Sequence, residues 1–297
     1  MKEKLLDLSG KIDPFTVELF AIIAKVADAT GAPFFVIGAT ARDIILQHGY
    51  GIEPTRATND IDLAVQVSDW EHYAKLREGL IQTGKFESTK EAQRLKYQET
   101  VSIDVIPFGA IAGPGGSFSW PPDHEVEMNT LGFEESYQHS LTVRVRRSPD
   151  LLIRFAGPAG LAVMKLIPWD ERRPERNKDA KDLGFLMRKH IDAGNEDRLF
   201  EEESDLIEIL ADRGDFDYLK ASARLLGRDI AAMAKSETRE RLLSVLERET
   251  GEKDRYRLVE DMMNIHTASG SDFEENLVLL EELKAGIPEG PGMGRRD

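Results

Sequence analysis

The 297-residue chain contains no cysteine. Disulfides and thiolate zinc sites are therefore excluded, and a reducing compartment, the cytoplasm, is the natural expectation. There is no run of about 18 apolar residues, so no segment is expected to span a membrane. The opening stretch MKEKLLDLSGKIDPF has no apolar core of signal-peptide length. Histidine is scarce. The six, at positions 48, 72, 124, 139, 190 and 266, show no metal-ligand spacing and read as ordinary surface or core residues. Positive charge is in deficit: a net charge of −15 argues against a general nucleic-acid binder. No internal repeat is visible.

Apolar residues make up 41% of the chain and charged residues 31%, which describes a soluble globular protein long enough for one large domain or two ordinary ones. The charge is unevenly spread. Residues 142–190 carry 12 Lys/Arg against 6 Asp/Glu, while the segments on either side are both acidic. A solvated helix face is the plain reading of that basic stretch.

Periodicity divides the chain. Phe15, Leu19, Ile22, Ile23 and Val26 predict an amphipathic helix over 14–30, ended by Gly31. FFVIG at 34–38 is a short buried strand running straight into a helix, ATARDIILQHG. DIDLAVQV is a second strand, after which Ser68 is expected to cap a helix over 69–82. Residues 93–99 and 102–108 read as a hairpin-like pair. The Gly- and Pro-rich stretch 109–129 is a loop or irregular hairpin, and SLTVRVRRS is a half-exposed strand. After Pro149 strands are expected to stop. Helices are expected over 157–167, 179–191, 201–211, 215–227, 229–249, 254–267 and 272–285. The fold class is α/β (α+β): an N-terminal domain, 14–147, with a mixed, largely antiparallel sheet, then an all-helical domain, 148–286, and a frayed tail, 287–297.

Three elements stand out against this background. Gly38 lies where a strand becomes a helix, so the amides of Ala39, Thr40 and Ala41 could bind an anion, although such a glycine is commonly a plain structural turn. Asp60 and Asp62 open the second strand and, two apart, point the same way. Like charges side by side on a strand repel, and something must offset that cost. Asp104 breaks a third apolar strand between Ile103 and Val105. If the two strands are neighbours, three carboxylates converge, a common way to hold one or two Mg²⁺ ions, for which Mn²⁺ can substitute. A calcium loop needs more oxygen ligands than NDIDLAVQV supplies. A dehalogenase-type phosphatase places its Asp pair at the end of a first strand, and an aspartic protease follows its Asp with a small residue and Gly. Neither pattern occurs here.

Gly38 at the junction, Asp60-x-Asp62 opening the next strand and Asp104 in a later one resemble, in that order, the polymerase-β-like nucleotidyltransferase superfamily. TRATNDIDL, DVIPFG and SPDLLIRFAGPAGLAVMKLIPWDERRPERNKDAKDLGFL are similar to motifs of its AbiEii/AbiGii toxin family, over about residues 30–190. GAT in place of Gly-Gly or Gly-Ser departs from the pattern, and residues 191–297 match nothing recognisable. Lys165 interrupts an apolar helix. Lys178, Asp179 and Asp182 share a helix face and, read alone, form an ordinary salt-bridge ladder. Trp120 and Trp169 read as packing residues more readily than as base-stacking platforms.

The resemblance implies a metal-dependent transfer of NMP from an NTP to a hydroxyl. Asp60, Asp62 and Asp104 would hold the metal. Gly38, Ala39, Thr40 and Arg42 would face the phosphates. Lys165 and Lys178 would neutralise the triphosphate, with Asp179 beside them and Asp182 orienting one of the lysines. It also implies the toxin of a toxin–antitoxin pair, with a cognate antitoxin protein as partner and an RNA acceptor, tRNA being favoured. The basic segment fits an RNA end. A small hydroxylated acceptor, a protein hydroxyl and a catalytically silent binding module are the alternatives.

Overall fold

The computed structural model describes residues 5–54, 60–212, 214, 216–251, 256–263 and 270–289, and the chain divides into two compact units, Met1–Gly157 and Pro158–Asp297.

In the first unit β1 (Leu6–Asp7) precedes α1 (Pro14–Thr30). Asp13 caps α1 by accepting from the Thr16 amide, Pro14 opens it, and Gly31 ends it with a φ of 70°. Val17, Phe20 and Ile23 turn into the core. β2 (Phe34–Ile37) leads into α2 (Gly38–Asp43), which continues as a π-helical turn over Ile44–Gly49. β3 (Asp60–Gln66) follows. Thr55 to Asn59, the flank of the acidic motif, lie outside the described residues.

The cap of α3 (Trp70–Gln82) is Asp69, not Ser68. The Asp69 carboxylate accepts from the His72 amide at 2.8 Å, and the Ser68 hydroxyl donates to that same carboxylate. A carboxylate outcompetes a hydroxyl at the positive end of a helix. Next come β4 (Phe86–Ser88), β5 (Arg94–Tyr97) and β6 (Val101–Phe108). The Gly/Pro-rich loop holds a small hairpin, β7 (Ser117–Ser119) with β8 (Glu127–Asn129). Trp120 packs at 5.1 to 5.8 Å against Phe118, Trp70 and Tyr73, and is buried. Then come α4 (Phe133–Gln138), β9 (Leu141–Arg147) and β10 (Asp150–Phe155).

Strands therefore do not stop at Pro149, and the sheet extends beyond residue 147. A register shift between Leu151 and Leu152, a bulge against β9, breaks the alternation that would have marked β10 as a strand. The main sheet has the order β1-β9-β10-β2-β3-β6-β5-β4. It is mixed: β1/β9, β10/β2 and β3/β6 are parallel and the other pairs antiparallel.

The second unit is helical, with α5 (Pro158–Arg172), α6 (Asn177–Lys189), α7 (Glu196–Glu201), α8 (Ser204–Asp212), α9 (Tyr218–Met233), α10 (Ser236–Thr250), α11 (Arg257–Met262) and α12 (Gly270–Gly286). Ile191, Leu199, Leu206, Leu210 and Leu225 form one of its cores. Trp169 is buried and donates its indole N–H to Asp261.

The expected break after Gly227 is absent, since α9 runs through it. Gly227 serves a helix crossing: a Cβ there would lie 2.3 Å from the Leu283 carbonyl oxygen and 3.0 Å from the Gly286 Cα. The chain turns instead at Ala234–Lys235. The expected tail is ordered through a 3₁₀ turn, Ile287–Glu289, in which Ile287 is buried and Glu289 pairs with Arg224 and Arg228. Residues 290–297, and residues 254–255 and 264–267 of the helix expected over 254–267, lie outside the described residues. Among the described residues no helix is long and apolar enough to cross a membrane.

Candidate active site

Strand register builds the site. β2 pairs antiparallel with β3, placing Ile37 opposite Asp62, and β3 pairs parallel with β6, placing Asp62 opposite Asp104. β5 pairs antiparallel with β6, placing Arg94 opposite Asp104. Asp62, Asp104 and Arg94 thus form a row across three adjacent strands on one face of the sheet. Two residues along, Asp60, Ser102 and Lys96 form a second row on the same face. The carboxylates expected to converge stand on neighbouring strands, roughly 5 Å apart at the backbone.

Gly38 borders this face. Its φ is +68°, and a Cβ added to it would lie 2.1 Å from Asp62 Oδ2. A side chain is therefore excluded twice, by the left-handed backbone and by the carboxylate. The Thr40 hydroxyl donates to the Asp60 carbonyl at 2.8 Å. Its proton ties α2 to β3. Arg42, expected to face the phosphates, is buried to 1% exposure, and its Nε donates to Asp43 at 2.7 Å. Ala39 is buried beside it.

Arg94 was not identified from the sequence. Its Nε and Nη2 donate to the two Asp104 oxygens at 2.7 and 2.8 Å, a bidentate fork. The hydrogen bonds to Asp104 hold the guanidinium well above the usual arginine range, and the nearby charge of Asp60 adds to them. Lys96 Nζ donates to Ser102 Oγ at 2.8 Å. The alternation in RLKY, with Leu95 and Tyr97 buried, was the available signal that Arg94 and Lys96 share a face.

In the second unit Lys165 of α5 meets α6. Its Nζ lies 2.7 Å from Asp179 and 2.8 Å from Asp182. Burial pulls the Lys165 ammonium down, but the two carboxylates outweigh it and the net direction is up. Arg176 approaches the other Asp179 oxygen at 3.6 Å, so two buried acids face two cations. Lys178 is exposed, and Asp182 Oδ2 pairs with Lys165. The basic segment is largely matched within its own units. Arg144 and Arg147 reach Asp7, Arg146 reaches Glu18, Arg173 reaches Asp261 and Arg188 reaches Glu275.

Carboxylate oxygens suit a hard divalent cation. Asp60 and Asp62 supply them on one face beside Asp104, so the donor chemistry fits. Among the described residues, however, no three acidic or His side chains are grouped to hold a metal ion. Both Asp104 oxygens are engaged by the Arg94 fork.

A mixed sheet with a glycine-started helix at its centre, two aspartates on the next strand and a third on that strand's parallel neighbour defines a nucleotidyltransferase. The family model for the nucleotidyl transferase AbiEii toxin of type IV toxin–antitoxin systems matches residues 22–275, and the chain belongs to that family. No curated protein matches it. Among solved structures, ANT(2'')-Ia in complex with adenylyl-2''-tobramycin is 17% identical, covering 58% of this chain and 94% of its own, with a TM-score of 0.34. The lincosamide antibiotic adenylyltransferase LnuA, lincomycin-bound, is 17% identical, covering 57% and 96%, with a TM-score of 0.34. The Thermotoga maritima CCA-adding enzyme complexed with tRNA is 13% identical, covering 95% and 83%, with a TM-score of 0.26.

Proposed function

We propose that this chain is a divalent-cation-dependent nucleotidyltransferase of the cytoplasm, acting on the end of an RNA, tRNA above all, as the toxin of a pair whose antitoxin restrains it. The observation that carries the reading is the register match of Asp62 with Asp104 beside Asp60, behind a glycine whose missing side chain leaves room for the Asp62 carboxylate. The acceptor oxygen attacks the α-phosphorus of an NTP, and pyrophosphate leaves. Asp60, Asp62 and Asp104 would hold a Mg²⁺ ion, with Mn²⁺ as a substitute. Bound there, the cation neutralises charge on the phosphate oxygens. Asp104 lies next to Asp62 and, as part of that cation site, favours loss of the acceptor's proton. The backbone amides after Gly38 bind phosphate. The family resemblance assigns the offsetting of phosphate charge to two lysines of the second unit, Lys165, held between Asp179 and Asp182, and the exposed Lys178.

A second reading has its own support. The arginines of β9 are already paired with Asp7, Asp150 and Glu18, which leaves the basic segment less charge for RNA and favours a small hydroxylated acceptor.

The test is label transfer. The protein and Asp62→Ala are incubated with Mg²⁺, total RNA and each α-labelled NTP, and products are resolved on a denaturing gel. Label in a tRNA-sized band with the parent protein alone supports the first reading and names the nucleotide. An absence of labelled RNA with every NTP refutes it, and label in small molecules instead selects the second.

A further inference from the structure

We infer that Arg94 competes with the divalent cation for Asp104, so that this arginine sets how tightly the site takes its metal. The inference rests on the proposed reading of Asp60, Asp62 and Asp104 as the cation site and adds a residue that reading does not contain. Three observations carry it.

The first is geometric. The Arg94 fork engages both oxygens of Asp104 at 2.7 and 2.8 Å, so the carboxylate cannot offer either one in full to a metal while the fork is in place. The second is positional. Arg94, Asp104 and Asp62 are cross-strand partners in one row, so the guanidinium occupies the open side of the third carboxylate, opposite Asp62. The third is exposure. The Arg94 side chain is 29% exposed and that of Asp104 16%, so the fork can swing off without opening the core. A buried pair could not exchange in this way.

The exchange has a chemical consequence. A guanidinium released from Asp104 is a planar, permanently charged donor, beside Lys96 on the same strand face, at a site that receives a triphosphate. Arg94 is a positioning residue in this scheme. It holds the third carboxylate until a cation takes that carboxylate over.

The experiment is Mn²⁺ titration followed by electron paramagnetic resonance, with no nucleotide or acceptor present. Arg94→Met keeps the length of the side chain and removes the fork, and is expected to bind Mn²⁺ at least about tenfold tighter than the parent protein. Arg94→Lys keeps the charge as a point cation without the fork and is expected to fall between the two. It also serves if the methionine variant folds poorly. The same pair is measured in Asp104→Asn. If the gain acts through Asp104, Arg94→Met gives little gain there, and the double-mutant cycle shows coupling. A gain of equal size in Asp104→Asn would mean simple removal of a nearby positive charge and would overturn the inference. So would equal affinity in Arg94→Met and parent when Asp62→Ala abolishes binding, a result that leaves the cation site itself standing. Absence of Mn²⁺ binding in both parent and Arg94→Met overturns the inference and the site reading together.

Discussion

Gly38→Ala is the sharpest perturbation of the candidate site, because two independent effects meet at that residue. With φ at +68°, any L-residue there adopts a left-handed backbone at a cost of roughly 1–2 kcal/mol. Separately, the new Cβ would lie 2.1 Å from Asp62 Oδ2, 2.9 Å from its Cγ and 3.1 Å from its Cβ. The overlap involves almost the whole side chain, so rotating the carboxylate does not relieve it. Asp62 must move by an ångström or more, and displacement on that scale costs about 100-fold in rate when the moved group positions reacting atoms. Gly31→Ala separates the two effects. Gly31 has nearly the same φ, +70°, but nothing lies within 4 Å of an added Cβ. Gly31→Ala should lose about 1–2 kcal/mol in urea denaturation followed by circular dichroism and Gly38→Ala at least as much, whereas only Gly38→Ala should lose nucleotidyl transfer and Mn²⁺ binding. Equal transfer rates in the two variants would refute the role assigned to Asp62.

Two predictions concern the helical unit. Gly227→Ala should destabilise it by about 3 kcal/mol, since the atoms met at 2.3 and 3.0 Å are α12 backbone and cannot rotate away, whereas Gly270→Ala, with open space around it, should be close to neutral in the same melt. The second concerns pH. Burial pushes the Asp229 carboxyl up, but hydrogen bonds from His190 and Arg198 outweigh it and hold it at about 2. A folded value below the unfolded one means that the stabilisation, about 2 kcal/mol, is full above pH 4 and is lost as pH falls towards 2, so the gap in unfolding midpoint between parent and Asp229→Asn should close over that range; a constant gap would refute the assignment.

Most of the first unit was legible because its elements alternate or repeat cleanly. α1 carries its own cap, proline and terminal glycine, and the boundaries read from its apolar spacing and that glycine match the structure. The misreadings have local causes. At β10 a bulge between Leu151 and Leu152 placed adjacent leucines where alternation was expected. At Gly227 a residue that usually ends a helix marks a backbone crossing, and the partner that requires it, Gly286, lies far along the chain. At α3 Ser68 and Asp69 are both good caps, and which one bonds the helix depends on geometry that composition does not carry.

The acids of the site were legible and its cation was not, and the asymmetry is physical. An aspartate within an apolar strand is costly unless something compensates, so Asp60, Asp62 and Asp104 stand out as violations that need a reason. An arginine on a half-exposed strand violates nothing, since its stem packs and its head reaches water. Arg94 becomes informative only once register sets it opposite Asp104, and register between β5 and β6 follows from the hairpin they form. The same logic governs the basic segment. Arg144, Arg146, Arg147, Arg173 and Arg188 add to its net charge, yet their partners Asp7, Glu18, Asp261 and Glu275 lie outside it, so charge summed along the chain overstates what an RNA phosphate would meet. Arg94 lies outside that segment, beside the carboxylates, and its pairing is one a divalent cation can undo. If an anionic substrate draws a guanidinium to the site on binding, Arg94 has better grounds for that role than the paired arginines of β9.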